Sequence, residues 1–237
     1  MKPLNQKSYG SIPYLQKNKH GDRVISEGQK KIATYSTRPE DVVFVTEKLD
    51  GSNVGVHRKN DTLIPITRSG YRCANSPWKQ HKFFDQWVWS HFDRFMSVLK
   101  PGERICGEWL MMTHGVKYDL PHEPFVAFDI IEIPYKRLAY DDFLDRTKDT
   151  FVTPHLYFKE KGPVSISRAM KKMGQYGNHG AQEHAEGLVW RVENNGEYDF
   201  MAKVVHKDFI AGKYLDDDLW NVSPKELMES LGEEMSC

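Results

Sequence analysis

Short runs of β-branched and aromatic residues recur along most of the chain, and Gly, Asn, Asp or Pro bounds each run. This pattern is typical of β-strands separated by turns. The sequences KND and ENNGE lie between neighbouring runs and have the composition of hairpin turns, so we expect mainly antiparallel pairing. The predicted strands are Asp41–Lys48, Ser52–Lys59, Thr62–Thr67, Glu103–Leu110, Pro124–Ile133, Gly187–Val192 and Tyr198–Val205.

Helical periodicity is clearest from Trp78 to Lys100, where apolar residues recur at steps of three and four. Shorter helices are predicted at Asp141–Lys148 and Ser165–Met173, and a capping box with proline at its first helical position starts another at Ser223. Residues 1–40 are polar and basic and are predicted to be an irregular lead-in, and residues 174–187 a loop. The chain is therefore predicted to be α+β, with one domain at 1–207 and a short helical tail at 208–237.

The composition disfavours several classes of protein. The chain has 33 basic and 33 acidic residues, so any affinity for nucleic acid must come from a local basic face. Its three cysteines are far apart, which argues against a disulfide framework or a thiolate zinc site. Neither a signal peptide nor a membrane span is recognisable. We expect a reduced, cytoplasmic protein that does not engage a membrane.

The most informative segment is VVFVTEKLDGSNVGV, in which an apolar strand runs into Lys48 and is followed at once by Asp50 and Gly51. A lysine at such a strand end can be held partly out of water, which disfavours the ammonium form and exposes an amine nucleophile. Gly51 would permit the tight turn that presents it. The alternative is that Lys48 simply flanks a hairpin.

EKLDGSN resembles the K-x-D-G motif of the covalent nucleotidyltransferases, which comprise DNA ligases, RNA ligases and mRNA capping enzymes. Five further segments resemble the family's other motifs, in the family's order: Arg68-Ser69-Gly70, Gly107-Glu108-Trp109, Phe128-Asp129-Ile130, Glu186-Gly187-Leu188-Val189 and the strand that holds Lys203. Each is weak alone, but six in order over residues 47–205 are strong. The spacing from Lys48 to Arg68, together with Asn53, is most similar to the RNA ligase branch.

The resemblance implies a nucleotidyltransferase (ATP-grasp-like) fold of two mainly antiparallel sheets with flanking helices and a nucleotide pocket between them. It implies that Lys48 is adenylated by ATP, with Arg68 and Lys203 as the other catalytic residues. The implied nucleotide-binding set is Glu47, Lys48, Asn53, Arg68, Glu108, Phe128, Glu186, Lys203 and Lys207. Glu186 is the implied ligand for Mg²⁺ or Mn²⁺, Phe128 the platform for the purine, and Glu108 the acceptor for ribose hydroxyls.

The last motif departs from the family pattern. The family has two lysines at alternating positions, whereas this chain has Lys203 followed by Val205. Either Lys207 takes the second role from a shifted register, or that contact is absent.

Simpler explanations remain for single residues. Glu108 and Arg68 could pair with each other on a sheet face, Phe128 could be plain core, and Glu186 could be a solvated loop acid. His179 and His184 suggest a metal pair, but loop histidines without a third ligand are more often unliganded.

The segment GYRCANSPWKQHK mixes cations with Tyr71 and Trp78, a composition suited to a nucleic-acid strand, although a solvated surface is the alternative. The clusters KNKHGDR and QKK are weaker candidates. Only about thirty residues follow Lys207, and their pattern is helical, so we expect no OB-fold domain and a possible protein partner in its place.

These observations predict an ATP-dependent RNA ligase that joins 5′-phosphate and 3′-hydroxyl RNA ends. The alternatives are a DNA ligase or a capping guanylyltransferase, or a module that binds nucleotides or RNA ends without catalysis.

Overall fold

A computed structural model describes residues 2–17 and 23–231 of the chain. Its helices are α1 Glu27–Thr34, α2 Lys79–Ser90, α3 Phe92–Val98, α4 Tyr140–Thr147, α5 Ile166–Met173 and α6 Pro224–Ser230, with 3-10 turns at Cys73–Asn75 and Leu215–Asp217. Its strands are β1 Asp41–Lys48, β2 Ser52–Lys59, β3 Thr62–Thr67, β4 Glu103–Trp109, β5 Phe125–Glu132, β6 Lys136–Arg137, β7 Leu156–Glu160, β8 Gly187–Asn194 and β9 Glu197–Val205.

The strands form two antiparallel sheets. The first sheet has the order β7-β1-β8-β9, and the second has the order β3-β2-β4-β5-β6. The predicted fold class is confirmed, because two open antiparallel sheets are flanked by helices and the described residues contain no closed barrel. The ENNGE sequence forms the β8–β9 hairpin, where Asn195 and Gly196 both have positive φ, as a tight hairpin turn requires.

Strand β1 lies between two hydrophobic cores. Because successive side chains point to opposite faces of a strand, Val43 and Val45 pack in one core with α5, while Phe44 packs in the other with β2, β4 and α2. The second core is rich in buried aromatics, including Trp87 and Trp109. Both faces of β1 are therefore held, which fixes the position of the Lys48 backbone at its end.

The predicted long helix at 78–100 is wrong in one respect, because it is divided at His91. This residue leaves helical geometry with φ −112° and ψ 27°, and its amide donates to both Trp87 O and Val88 O. Its ring stacks on Trp87 at 4.4 Å between centroids. Local packing, rather than a glycine or proline, separates α2 from α3.

The predicted irregular lead-in is also corrected, since it contains helix α1. Ser26 caps this helix by accepting from the Gln29 amide at 3.2 Å. The sequence prediction further omitted the edge strands β6 and β7. Residues 18–22 of the KNKHGDR cluster lie outside the described residues, as does Cys237, whereas Cys73 and Cys106 are buried free thiols.

The segment before α1 crosses from one sheet to the other. The Ser8 amide donates to Arg68 O just after β3 at 3.0 Å. Farther along, the Leu15 amide donates to Lys203 O, and the Lys203 amide donates to Pro13 O, both at 2.9 Å. This crossing segment, residues 8–15, therefore joins the end of β3 to β9 and forms part of the wall between the sheets.

Residues 208–231, the described part of the chain after 207, contain segments that pack on the domain. The Asn221 side chain accepts from the Tyr118 amide at 3.0 Å and donates to Leu110 O at 2.8 Å. Leu227 of α6 is buried in the second core, and Ser223 and Glu226 form the predicted capping box. Within residues 2–17 and 23–231, none of the helices has the length and hydropathy needed to cross a membrane.

Candidate active site

Lys48 is the last residue of β1 and pairs with Gly187 at the start of β8. The turn that follows needs glycine at position 51, because a Cβ there would lie 2.6 Å from Trp109 O. The Gly51 amide donates to Glu108 Oε1 at 3.2 Å. The requirement for glycine is thus a close approach to the end of β4, which brings the Lys48 and Glu108 segments together.

Asp50 holds the opposite side of this turn. Its Oδ2 atom accepts from the amides of Gly115 at 2.5 Å and Val116 at 3.0 Å. Its own amide donates to the Tyr118 hydroxyl at 3.0 Å. Asp50 therefore fixes the segment after β4 against the turn, and it also lines the cavity described below.

The Lys48 ammonium donates to Glu186 Oε2 at 2.7 Å. The Lys48 side chain is 21% exposed and that of Glu186 is 7% exposed, so the pair is largely removed from water. Gly187 follows Glu186 with φ +155°, and a Cβ there would lie 2.0 Å from Val204 O. Only glycine fits at this position, and it lets the Glu186 side chain reach Lys48 from the start of β8.

The protonation of Lys48 is opposite to the sequence-based expectation. Burial by itself lowers the Lys48 pKa, but the carboxylates of Glu186, Glu108 and Asp50 outweigh burial, and the Lys48 pKa is raised. Three acids around one amine stabilise the ammonium form. The free protein therefore holds Lys48 charged, and a free amine is not already present.

The surrounding acids are shifted as well. Burial raises the pKa of Glu186 to about 7 against the lowering effect of Lys48. Burial likewise raises the pKa of Glu108 to about 7, although Lys48 lowers it. Both carboxyls are therefore poised to gain or lose a proton near neutral pH, which is typical of functional sites.

Glu108 and Arg68 have separate partners and do not form the sheet-face pair that we considered. Glu108 lies opposite Asn53 in the β2–β4 ladder, and Arg68 Nη2 donates to Ser11 Oγ at 2.6 Å. The Asn53 Oδ1 atom is buried without a hydrogen-bond partner among the described residues. This unsatisfied acceptor is suited to a ligand donor.

A cavity of about 670 Å³ opens between the two sheets, within the usual size range of ligand sites. Seven predicted site residues line it, namely Glu47, Lys48, Asn53, Arg68, Glu108, Phe128 and Lys203. Phe128 is half-buried and meets the Tyr9 ring edge-on at 5.0 Å between centroids. The Lys203 ammonium lies 4.3 Å from the centroid of the Tyr14 ring.

Three predicted residues are placed differently from the rest. Glu186 contacts Lys48 but is not among the residues that line the cavity. Lys207 is exposed beyond the end of β9. The Glu47 carboxylate accepts from the Tyr157 hydroxyl at 2.9 Å and the Asn178 amide at 2.8 Å. Nucleotide contacts by Glu47 and Lys207 stay predictions.

The two loop histidines lie in different surroundings. His179 Nδ1 bonds to His122 Nε2 at 2.8 Å, and its Nε2 accepts from the His155 amide at 3.1 Å. His184 instead stacks on His206, with ring centroids 4.3 Å apart. The structure therefore does not support a metal ion bound jointly by His179 and His184.

Several lining residues were missed by the sequence analysis, chiefly Tyr9, Ser11, Ile12, Tyr140, Arg191 and Met201. Met201 could have been found, because it lies two positions before Lys203 on the same strand face. The crossing segment carries no motif, so Tyr9, Ser11 and Ile12 had no sequence signal. Tyr140 Oη is buried without a hydrogen-bond partner among the described residues.

The aromatic and basic segment after Arg68 has exposed rings. Trp78 is 64% exposed and Tyr71 is 51% exposed. Lys79 and Lys82 flank His81, which lines the cavity. The predicted nucleic-acid segment therefore lines the cavity at His81 and exposes two aromatic rings on the surface.

The sequence model of the RNA ligase family matches residues 41–205. The chain belongs to the RNA ligase family. The match covers every strand from β1 to β9 and all of the predicted site residues except Lys207. A comparison with curated proteins gave no match.

Two solved structures of Naegleria gruberi RNA ligase are similar to this chain in fold. A variant of Naegleria gruberi RNA ligase with ATP and Mn is 14% identical, with a TM-score of 0.57 over 92% of this chain and 59% of that chain. Naegleria gruberi RNA ligase with PPi is 16% identical, with a TM-score of 0.51 over 78% of this chain and 58% of that chain. An archaeal ATP-dependent RNA ligase is 17% identical, with a TM-score of 0.49 over 83% of this chain and 48% of that chain. The chain thus spans about half to three fifths of the length of these proteins.

Proposed function

We propose that this chain is an ATP-dependent RNA ligase that joins 5′-phosphate and 3′-hydroxyl RNA ends through a covalent AMP on Lys48. The observation that carries the proposal is the Lys48–Glu186 pair, because its lysine lines a cavity together with Arg68 and Lys203. One amine faces a space bordered by two other cations, which suits a nucleotide phosphate.

In the first step, Lys48 Nζ attacks the α-phosphorus of ATP. A P–N bond forms, the bond to the bridging oxygen breaks, and pyrophosphate leaves with its electron pair. Lys48 must lose a proton before or during the attack. Glu186 Oε2 is 2.7 Å from Nζ, and its pKa of about 7 suits a proton acceptor at neutral pH.

The later steps use the same centre. A 5′-phosphate oxygen of RNA attacks the lysyl-AMP phosphorus, the P–N bond breaks, and Lys48 regains its proton. The 3′-hydroxyl oxygen of the second end then attacks the activated 5′-phosphorus and a P–O bond forms. The phosphoanhydride bond to AMP breaks, AMP leaves with the electron pair, and the hydroxyl proton is released to water. In both steps Arg68 and Lys203 are placed to offset charge on phosphate oxygens.

The nucleotide is proposed to lie between the two sheets. Phe128 supplies an aromatic face for the purine, which is worth roughly 1–3 kcal/mol in base stacking. The Glu108 carboxylate, which accepts a hydrogen bond from the Gly51 amide, is the proposed acceptor for ribose hydroxyls. Asn53 offers a buried amide oxygen without a partner among the described residues.

The site also fits a divalent cation. Glu186, Glu108 and Asp50 surround a single ammonium, so the acids outnumber the amine, and carboxylate oxygens are the ligands that Mg²⁺ and Mn²⁺ prefer. Glu186 is the proposed ligand. When bound, the cation would offset phosphate charge and orient the leaving pyrophosphate.

The RNA is proposed to leave the cavity over Tyr71 and Trp78. Both rings are exposed, and Trp78 directly precedes Lys79 in a segment that also holds Lys82, a combination that supports stacking of bases and tracking of phosphates.

A joining assay tests the proposed function. Purified chain with Mg²⁺ is given RNA or DNA ends, nicked or single-stranded, with ATP or GTP. The proposal predicts joined RNA with ATP and none for Lys48→Ala. Joining of DNA alone would indicate a DNA ligase, and labelling with GTP alone a guanylyltransferase. Binding of ATP without any adduct would support the non-catalytic alternative, which Val205 favours.

A further inference from the structure

A second cluster of side chains lies outside the proposed catalytic cavity. His184 stands in the loop before β8, and His206 and Asp208 follow β9. One potential ligand atom from each of these three residues lies within 4.8 Å of the others. Antiparallel pairing of β8 with β9 brings the two chain segments together, since Gly187 pairs with Val205.

The backbone holds the cluster in place. The His206 amide donates to Glu186 O at 2.7 Å, which fixes His206 relative to the loop that carries His184. The Asp208 amide donates to His206 Nδ1 at 3.3 Å. The two imidazole rings are nearly parallel, with 13° between their planes.

One imidazole nitrogen in the cluster is unsatisfied. His184 Nδ1 is buried, and it has no hydrogen-bond partner among the described residues. Buried polar atoms are normally paired, and an unpaired one calls for an explanation such as an ion. A metal bond to this nitrogen would remove the cost of burying it.

We propose that His184, His206 and Asp208 hold a divalent transition-metal ion of the Zn²⁺ class. Two imidazoles and one carboxylate are a known type of ligand set for such ions, with a fourth position left for water. Mg²⁺ prefers oxygen ligands alone, so this site differs in metal preference from Glu186. The binding proposal does not depend on the ligase proposal.

Metal binding requires two changes in this geometry. One imidazole must rotate out of the stack, because a metal lies in the plane of each ring that ligates it, and the ligand atoms must move closer together. Ligand atoms around tetrahedral zinc lie about 3.4 Å apart, given bonds of about 2.0–2.1 Å. The ligand atoms, which lie within 4.8 Å of one another, must therefore approach by up to about 1.4 Å. The Asp208 side chain is 58% exposed and is free of the packing that would resist this movement.

Zinc titration tests the proposal. Tag-free full chain is stripped with EDTA, dialysed, and titrated with Zn²⁺ by calorimetry in excess Mg²⁺, and Co²⁺ absorption reports the coordination. We expect one site with a micromolar or lower Kd. His184→Gln and His206→Gln should each weaken binding at least tenfold, and Asp208→Asn less. His155→Gln, which changes an exposed histidine outside the cluster, is the matched control.

Several outcomes would overturn the proposal. These are no binding by the wild type, unchanged binding in the His184→Gln/His206→Gln double variant, or an equal loss in His155→Gln. Loss of Zn²⁺ binding in Glu186→Gln alone would assign the ion to the catalytic site instead. If the glutamine variants do not fold, the NMR resonances of the wild-type histidine rings test the proposal. Zn²⁺ must then shift the resonances of two imidazoles strongly and leave those of the His155 ring unchanged.

Discussion

Lys48 Nζ and Glu186 Oε2 are 2.7 Å apart although the two residues are 138 positions apart in the chain. Antiparallel pairing of β1 with β8 produces this contact, since Lys48 is in register with Gly187. The pair is shielded from water, so its electrostatic effect is larger than that of a surface ion pair. This contact couples the protonation state of Lys48 to that of Glu186.

Replacing Glu186 by Gln separates the two effects of this carboxylate. We expect formation of the lysyl-adenylate to slow about 100-fold, or about 2.7 kcal/mol, because a charged ligand for the cation and a proton acceptor are both removed. The Lys48 pKa should fall, because Glu186 raises it. Lys48 should therefore react faster with a small amine-reactive labelling reagent.

Rates of adenylate formation and of amine labelling at Lys48 measure these changes. Glu183→Gln is the control, because Glu183 belongs to the same loop but accepts from Lys213. Unchanged adenylation in the Glu186 variant would contradict the assigned role.

Glu108→Gln should stabilise the free protein at alkaline pH. Burial raises the folded-state pKa of Glu108 to about 7, above its unfolded value of about 4.3. The folded state therefore retains a proton that the unfolded state has lost, and wild-type stability falls as pH rises through this window. Gln can keep the bond from the Gly51 amide and carries no charge.

Melting curves check this prediction. The Tm of Glu108→Gln should exceed the wild-type Tm slightly at about pH 5 and by more at about pH 8. Each kcal/mol of added folding stability should raise Tm by on the order of 2–4 °C. Adenylation should decrease in the same variant. A Tm difference that shrinks as pH rises would have the wrong sign.

Gly51→Ala should damage both fold and site. Its Cβ would lie 2.6 Å from Trp109 O, so the turn or the end of β4 must move, at a cost of about 1–3 kcal/mol. Urea unfolding and adenylation rates measure the two effects. Gly28→Ala in α1 has space, with its nearest contact at 3.8 Å, and should stabilise the chain by up to about 1 kcal/mol. Equal effects of the two substitutions would argue against the steric explanation.

Phe128→Leu should raise the KM for ATP about tenfold, since stacking on an aromatic is worth roughly 1–3 kcal/mol. The apolar volume is largely kept, so the fold should persist. Phe92→Leu is the control, because Phe92 stacks on Trp89 outside the cavity. Steady-state adenylation over a range of ATP concentrations gives the result, and an unchanged KM would remove Phe128 from the proposed purine platform.

Most strands could be predicted from sequence, because their apolar runs end at clear turn residues. Asp41–Lys48, Ser52–Lys59 and Thr62–Thr67 were predicted with the bounds that the structure has. By contrast, α1 was missed because EGQKKIAT contains few apolar positions. Its capping box at Ser26 and Gln29 was the available signal. The edge strand β7 is only five residues long, and its pairing with β1 is not visible locally.

The candidate site was predictable only in part. Ordered motifs placed seven residues around one cavity, since each of these residues lies on or next to a strand of the two sheets. The Lys48 charge state was predicted incorrectly, because it depends on acids that come from β4 and from the start of β8. Tyr9 and Ser11 reach the cavity through backbone bonds of the crossing segment, and no side-chain pattern encodes those bonds.

Mass spectrometry of the covalent adduct tests the central claim most directly. The chain is incubated with ATP and Mg²⁺, digested, and searched for a peptide carrying AMP, beside Lys48→Ala and the surface control Lys213→Ala. The account predicts AMP on Lys48 in the wild type and in Lys213→Ala, and no adduct in Lys48→Ala. An adduct that persists in Lys48→Ala, or that maps to a different residue, would contradict it.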